Sequence, residues 1–206
     1  MADAVDLVRA YLHVNGYFTV TEYPVLEGVK GGSHRMVTDL DVLAFRFPGA
    51  GPSKGGGRVG EALVSTLGEL DPALERNRGE SDMIVAEVKE GRAELNRGAR
   101  DPRVLEAALV RFGCCEPHAV ERVVEELLRR GRAATGHGHT VRLVAFGSSV
   151  PPDRPLGYTA ISLGHVLSFL RAHLQESWEV LRHAQVSDPA LGFLALLEKA
   201  GEGEDA

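Results

Sequence analysis

The chain has 206 residues, 44% of them apolar, and a formal charge of -6 at neutral pH. A chain of that length buries one substantial core and favours a single domain with decorations over two equal ones. The acidic balance excludes a protein that coats nucleic acid by bulk attraction, because such binding neutralises phosphates and shows a basic surplus, so any nucleic-acid contact has to be local.

The opening Met-Ala-Asp-Ala-Val-Asp has neither the basic stretch nor the apolar run of a signal peptide, and no run of about 18 apolar residues could span a bilayer. Val5, Val8 and Leu12 recur at helical spacing, and Asn15-Gly16 supplies a left-handed stop, which predicts a short amphipathic helix. Tyr17 to Val25 is aromatic and β-branched and reads as a strand closing at Pro24, with Gly28 to Ser33 as a turn. A second strand is predicted over Val37 to Phe47, where alternation puts Val37, Asp39, Asp41, Leu43 and Phe45 on one face. Pro48 to Ser81 reads as a loop-rich insertion. Met83 to Lys89 is then an almost wholly apolar strand until Glu87 and Lys89, which share one face, with Ile84, Ala86 and Val88 on the other.

Helices are predicted over Val104 to Phe112 and Pro117 to Arg130, a strand over Thr140 to Phe146, a short fifth strand over Tyr158 to Ser162, and helices over Val166 to Leu181 and Pro189 to Ala200. Gly201 to Ala206 reads as a flexible tail. The only cysteines, Cys114 and Cys115, are adjacent. Neighbours rarely meet disulfide geometry, so a reducing, cytoplasmic setting is expected. Strands in immediate succession followed by a helical crossover predict an α/β fold: a mixed central sheet of four to five strands flanked by helices, with extra helices over 164–200.

An Asp on the second strand, an apolar strand ending in Glu87-Val88-Lys89 and this element order resemble the PD-(D/E)XK, restriction-endonuclease-like nuclease superfamily. The resemblance runs from Val5 to Ser162 and is carried by two short motifs, Thr38 to Ala44 and Ile84 to Lys89. It implies that Asp41 and Glu87 bind a metal and that Lys89 assists the attacking water. The Pro that usually precedes the Asp is absent, which leaves Asp39 and Asp41 both open as principal ligand.

The chemistry of the residues agrees with that implication. A phosphodiester repels nucleophiles and has a poor leaving group, so its hydrolysis calls for a divalent cation that polarises the phosphate and acidifies a bound water. Mg²⁺, or Mn²⁺ in its place, takes a few carboxylates and keeps waters and substrate oxygens. Asp41 and Glu87 supply such a half-shell, with the Val88 backbone carbonyl as a further oxygen and Asp39 and Glu22 as possible additions. The competing reading is a solvated strand face whose Glu-Lys pair contributes at most about 1 kcal/mol. Against it stands Met83 to Ala86, apolar on both faces and hence central, where charges are costly unless paired or bound to metal.

Arg92, Arg97, Arg100 and Arg103 follow Lys89 closely and are candidates for phosphate contacts, as are Lys54 and Arg58 in the Gly-rich loop; Glu90, Glu94 and Asp101 make a mixed-charge surface the alternative. Gly55 to Gly60 satisfies G-x-G-x-x-G, but Pro48 and Pro52 separate it from the preceding strand, where a dinucleotide fingerprint needs an immediate strand-to-helix turn. His137-Gly138-His139 lacks supporting ligands and reads as a polar turn. Three functions follow: a Mg²⁺-dependent nuclease acting on DNA, a nuclease-fold protein that binds nucleic acid or a partner without cutting, and a nucleotide-binding enzyme using the Gly-rich loop. A homodimer is an expectation from the resemblance. The Trp178, Leu181 and Phe193 to Leu197 apolar groups are expected to cover the sheet.

Overall fold

The computed structural model describes residues 3–50, 70–75, 79–152, 157–182 and 186–202. Asp3 caps the first helix, α1 (Ala4–Val14), by accepting the Asp6 amide at 3.0 Å. Asn15-Gly16 ends it as predicted, with Gly16 at φ 82°.

An antiparallel hairpin follows, β1 (Phe18–Gly28) and β2 (His34–Arg46), closed where the Val29 amide donates to the Ser33 carbonyl at 2.8 Å. Both strands depart from the predicted bounds. β1 passes Pro24 because it is the edge of the sheet, where a missing N–H on the outer side breaks no ladder bond. β2 begins three residues before Val37, since the hairpin pairs with itself beyond the rest of the sheet.

β3 (Ser81–Arg92) pairs antiparallel with β2, and α2 (Pro102–Arg111) and α3 (Val120–Arg130) cross over to β5 (His139–Ser149), which runs parallel to β3. β4 (Arg132–Ala134) pairs antiparallel with the first half of β5, and β6 (Thr159–Ser162) parallel with its second half. The sheet order is β1-β2-β3-β5-β4, six strands among the described residues with β6 beside β5. It is the mixed, helix-flanked sheet the sequence predicts, with one strand more: β4 is three residues long, too short to carry a period.

The helix predicted over Val166 to Leu181 is two, α4 (Leu163–Glu176) and one-turn α5 (Trp178–Leu181), broken at Ser177. The last helix, α6 (Pro189–Glu202), runs two residues into the predicted tail; Gly201 interrupts no bond at a helix end, where carbonyls lack partners in any case. No described helix is long and apolar enough to cross a membrane.

Two clusters hold the layers together. Val42, Ala44, Ile84, Ala86, Val144 and Phe146 meet α1, α4 and α6 on one face; Leu43, Val85, Leu143 and Ala145 meet α2 and α3 on the other. The C-terminal apolar groups cover the sheet in part: Leu181, Leu194 and Ala195 are buried, whereas Phe193, Leu196 and Leu197 stay exposed. At the start of β3, Asp82 takes a bidentate bond from Arg142 of β5 at 2.8 and 2.6 Å and the Tyr17 hydroxyl at 2.5 Å, all buried. That group pins β3 and β5 to the start of β1 at one end of the sheet. The candidate site lies toward the other.

Candidate functional site

The β2–β3 ladder runs from Arg46 opposite Asp82 to Val42 opposite Ala86 and stops there. One residue further on, β2 offers a side chain where its backbone has left: Asp41 Oδ2 accepts the Val88 amide at 2.7 Å. Across the hairpin, the pairs Thr21 with Val42 and Tyr23 with Leu40 set Glu22 opposite Asp41, and Glu22 has φ 52°, a left-handed backbone unusual outside glycine.

This local distortion corrects the alternation read from the sequence. Leu43 and Phe45 pack on the α2/α3 face, but so does Leu40, while Val42 and Ala44 pack opposite. A residue face therefore repeats across Asp41, and the single face predicted for Val37, Asp39, Asp41, Leu43 and Phe45 does not run unbroken.

Glu87 sits on the central strand beside Ala145 of β5, on the α2/α3 side, and is 3% exposed. Its Oε1 accepts two hydrogen bonds, from Lys89 Nζ at 2.9 Å and from Asn96 Nδ2 at 2.7 Å. Its Oε2 is buried with no hydrogen-bond partner among the described residues. Met83 to Ala86 just before it is apolar on both faces, as the sequence implied, so the carboxylate is enclosed and not a solvated strand-face group.

Burial holds the Glu87 carboxyl above the ordinary carboxylate range; the charge of Asp41 adds to this, and the bonds from Lys89 and Asn96 work against it. Burial likewise raises Asp41, with Asp39 adding to it and the Val88 amide and Lys89 opposing. The two carboxylates therefore share one field. Lys89 is held more firmly protonated, first by its bond to Glu87 and then by the charges of Asp41 and Glu94. In this arrangement it is an ammonium with N–H donors to offer.

The other predicted members divide. Asp39 is exposed and reaches Asp41 only through its charge; Glu22 is exposed. Among the described residues no group of three or more His, Cys, Asp and Glu side chains gathers as a metal cluster. Arg92 and Arg97 are exposed and form no ion pair among the described residues. Arg100 lies over the Tyr158 ring, 5.5 Å from its centre, and Arg103 is engaged by Asp101 at 2.7 Å and Glu27 at 3.7 Å. Lys54, Arg58 and the rest of Gly55 to Gly60 lie outside the described residues.

Asn96 was not singled out in the sequence. It follows Gly91 in a polar stretch, Glu-Leu-Asn-Arg-Gly, whose pattern signals only a turn. Its proximity to Glu87 depends on where the loop after β3 folds back.

The donor set fits a hard divalent cation: two carboxylates in one field, one of them buried with a bare oxygen, the other drawn in by the Val88 amide. Comparison with family models, with curated proteins and with solved structures found no match to this chain.

Proposed function

We propose that the protein is a Mg²⁺- or Mn²⁺-dependent nuclease that hydrolyses phosphodiester bonds, with DNA as substrate. The observation that carries the reading is Glu87 Oε2, a carboxylate oxygen buried in the sheet without a hydrogen-bond partner among the described residues, in the field of a second carboxylate and beside a lysine. A buried polar atom left without a hydrogen bond costs about 1–3 kcal/mol in general, more on a charged group, and such atoms gather at sites that bind something.

Asp41, Glu87 and the Val88 carbonyl are the groups proposed to hold the cation, whose contribution when bound is to polarise the phosphate and lower the pKa of water. Lys89 supplies a fixed positive charge and free N–H donors at the mouth of the site, its side chain 33% exposed, where a phosphate oxygen or a hydroxide is stabilised. Arg92 and Arg97, exposed and without ion-pair partners among the described residues, are proposed phosphate contacts on the rim. The acidic net charge of -6 restricts this contact to the rim. A homodimer, which lets two such sites cut two strands, and a cytoplasmic location belong to the same proposal.

The test has two arms. Titration with Mn²⁺ should show a bound ion that Glu87→Gln and Asp41→Asn remove. Incubation with plasmid and single-stranded DNA should give nicks or cuts that Lys89→Ala abolishes while the fold survives. Cleavage retained in Lys89→Ala would assign the activity to another site or a contaminant, and binding of metal without any cleavage would favour a nuclease-fold protein that binds nucleic acid without cutting.

A further inference from the structure

Glu87 Oε1 is full. A carboxylate oxygen presents two lone pairs, and Oε1 accepts from both Lys89 at 2.9 Å and Asn96 at 2.7 Å. We infer that Asn96 is a positioning residue: by saturating Oε1 together with Lys89, it fixes the Glu87 carboxylate so that Oε2 alone faces a divalent cation. The inference rests on the metal reading proposed above and names a residue that acts through Glu87.

Lys89 alone is a poor clamp, being long and one-third exposed. Asn96 is itself clamped. Its Oδ1 accepts the Ala99 amide at 2.7 Å, which also assigns the side-chain amide: with the oxygen on Ala99 the nitrogen must face Glu87, and the reverse would set N–H against N–H and oxygen against carboxylate.

The loop that carries Asn96 is pressed between strands. At one end Ala93 donates to the Ser149 carbonyl of β5 at 2.8 Å, and it crosses so close to Gly147 that a Cβ there would lie 2.4 Å from the Ala93 nitrogen. At the other end Gly98 passes Thr38 of β2, and a Cβ on it would lie 2.4 Å from Thr38 Oγ1. Two glycines at which no side chain fits thus lay the segment from β5 to β2, with Asn96 between them over Glu87. Groups that orient metal-binding carboxylates are commonly this kind: polar, held by backbone, one bond removed from the ion.

The two bonds of Asn96 can be separated. Asn96→Ser keeps a hydroxyl able to accept the amide three residues on, as serine does at helix starts, but is too short to reach Glu87. Calorimetric titration of the full chain with Mn²⁺ should show affinity falling by about tenfold to a hundredfold in Asn96→Ser, with the unfolding temperature kept. Asn96→Thr, a second hydroxyl of equal reach, gives the same reading should the serine variant not fold. Affinity equal to wild type in a folded Ser or Thr variant would overturn the role of Asn96 alone. A wild-type chain that binds no Mn²⁺ would sink the metal reading and this inference with it.

Discussion

Replacing Glu87 by Gln tests the site without nucleic acid. The carboxylate is 3% exposed and its Oε2 has no partner among the described residues. Burial, the largest cause, holds its carboxyl above the ordinary 4.5 against the pull of Lys89 and Asn96. A carboxyl raised by folding binds its proton more tightly folded than unfolded, so ionised Glu87 costs stability at neutral pH. That cost fades as pH falls from the raised value toward 4.5, where the unfolded chain protonates too. Each tenfold in proton affinity corresponds to about 1.4 kcal/mol. The pair works in the other direction for Lys89, whose raised ammonium contributes stability that persists at every pH below 10.5. Its side chain is 33% exposed and solvent screens the gain, so the buried partner sets the balance.

In EDTA near neutral pH, Glu87→Gln is therefore expected to unfold at a higher temperature than wild type, because the variant has no buried carboxylate to keep ionised. The difference should shrink as pH falls and vanish below pH 4.5. With Mn²⁺ at a hundred times its dissociation constant the wild type gains about 2.7 kcal/mol and the variant gains none, so metal should raise the wild type relative to the variant. Thermal unfolding across this pH range, with and without metal, reads all three. A variant less stable than wild type in EDTA at neutral pH would refute the reasoning and make Glu87 and Lys89 an ordinary structural pair.

Lys89→Ala should abolish DNA cleavage while leaving Mn²⁺ binding within a fewfold, as checked by plasmid nicking and titration side by side. Asp82→Ala leaves Arg142 buried without its carboxylate, its side chain 6% exposed, and should cost about 3–5 kcal/mol in urea unfolding. Gly147→Ala sets a Cβ against the backbone of Ala93 and should destabilise by about 1–3 kcal/mol, with Mn²⁺ affinity falling as the Asn96 loop is pushed away. Cys114 is 2% exposed and burial pushes its thiol up to about 12, so a thiol reagent at mildly alkaline pH should leave it untouched until the chain is unfolded in guanidinium.

The central strand was the most legible part of the chain. Met83 to Ala86 is apolar on both faces because both faces are covered, and that made Glu87 stand out as a charge in the wrong place. The hairpin was legible as two strands but not in extent, since Pro24 reads as a stop unless the strand is known to be an edge. Asp82 escaped notice for a related reason: an acid at the head of an apolar strand looks like its solvated end, and only Arg142, 60 residues away in sequence, makes it a buried partner. Asn96 had no signal at all. What places it is the tight passage of Ala93 and Gly98 across two strands, a contact between distant segments to which local pattern is blind.

The distortion at Glu22 and Asp41 gives the site its form. A regular ladder would continue past Val42 and Ala86, pairing Asp41 with Glu87 backbone to backbone and sending their side chains out along the pleat. Here the ladder stops, and the Val88 amide it would have served needs an acceptor, because a buried donor left alone costs about 1–3 kcal/mol. Asp41 Oδ2 fills that need at 2.7 Å. The same bond draws the carboxylate of one strand onto the backbone of the next, directly beside Glu87, so that two like charges are brought together by the requirement of a single N–H. Their repulsion adds to the burial that raises the carboxyl of Glu87, and is the property that the proposed divalent cation would relieve.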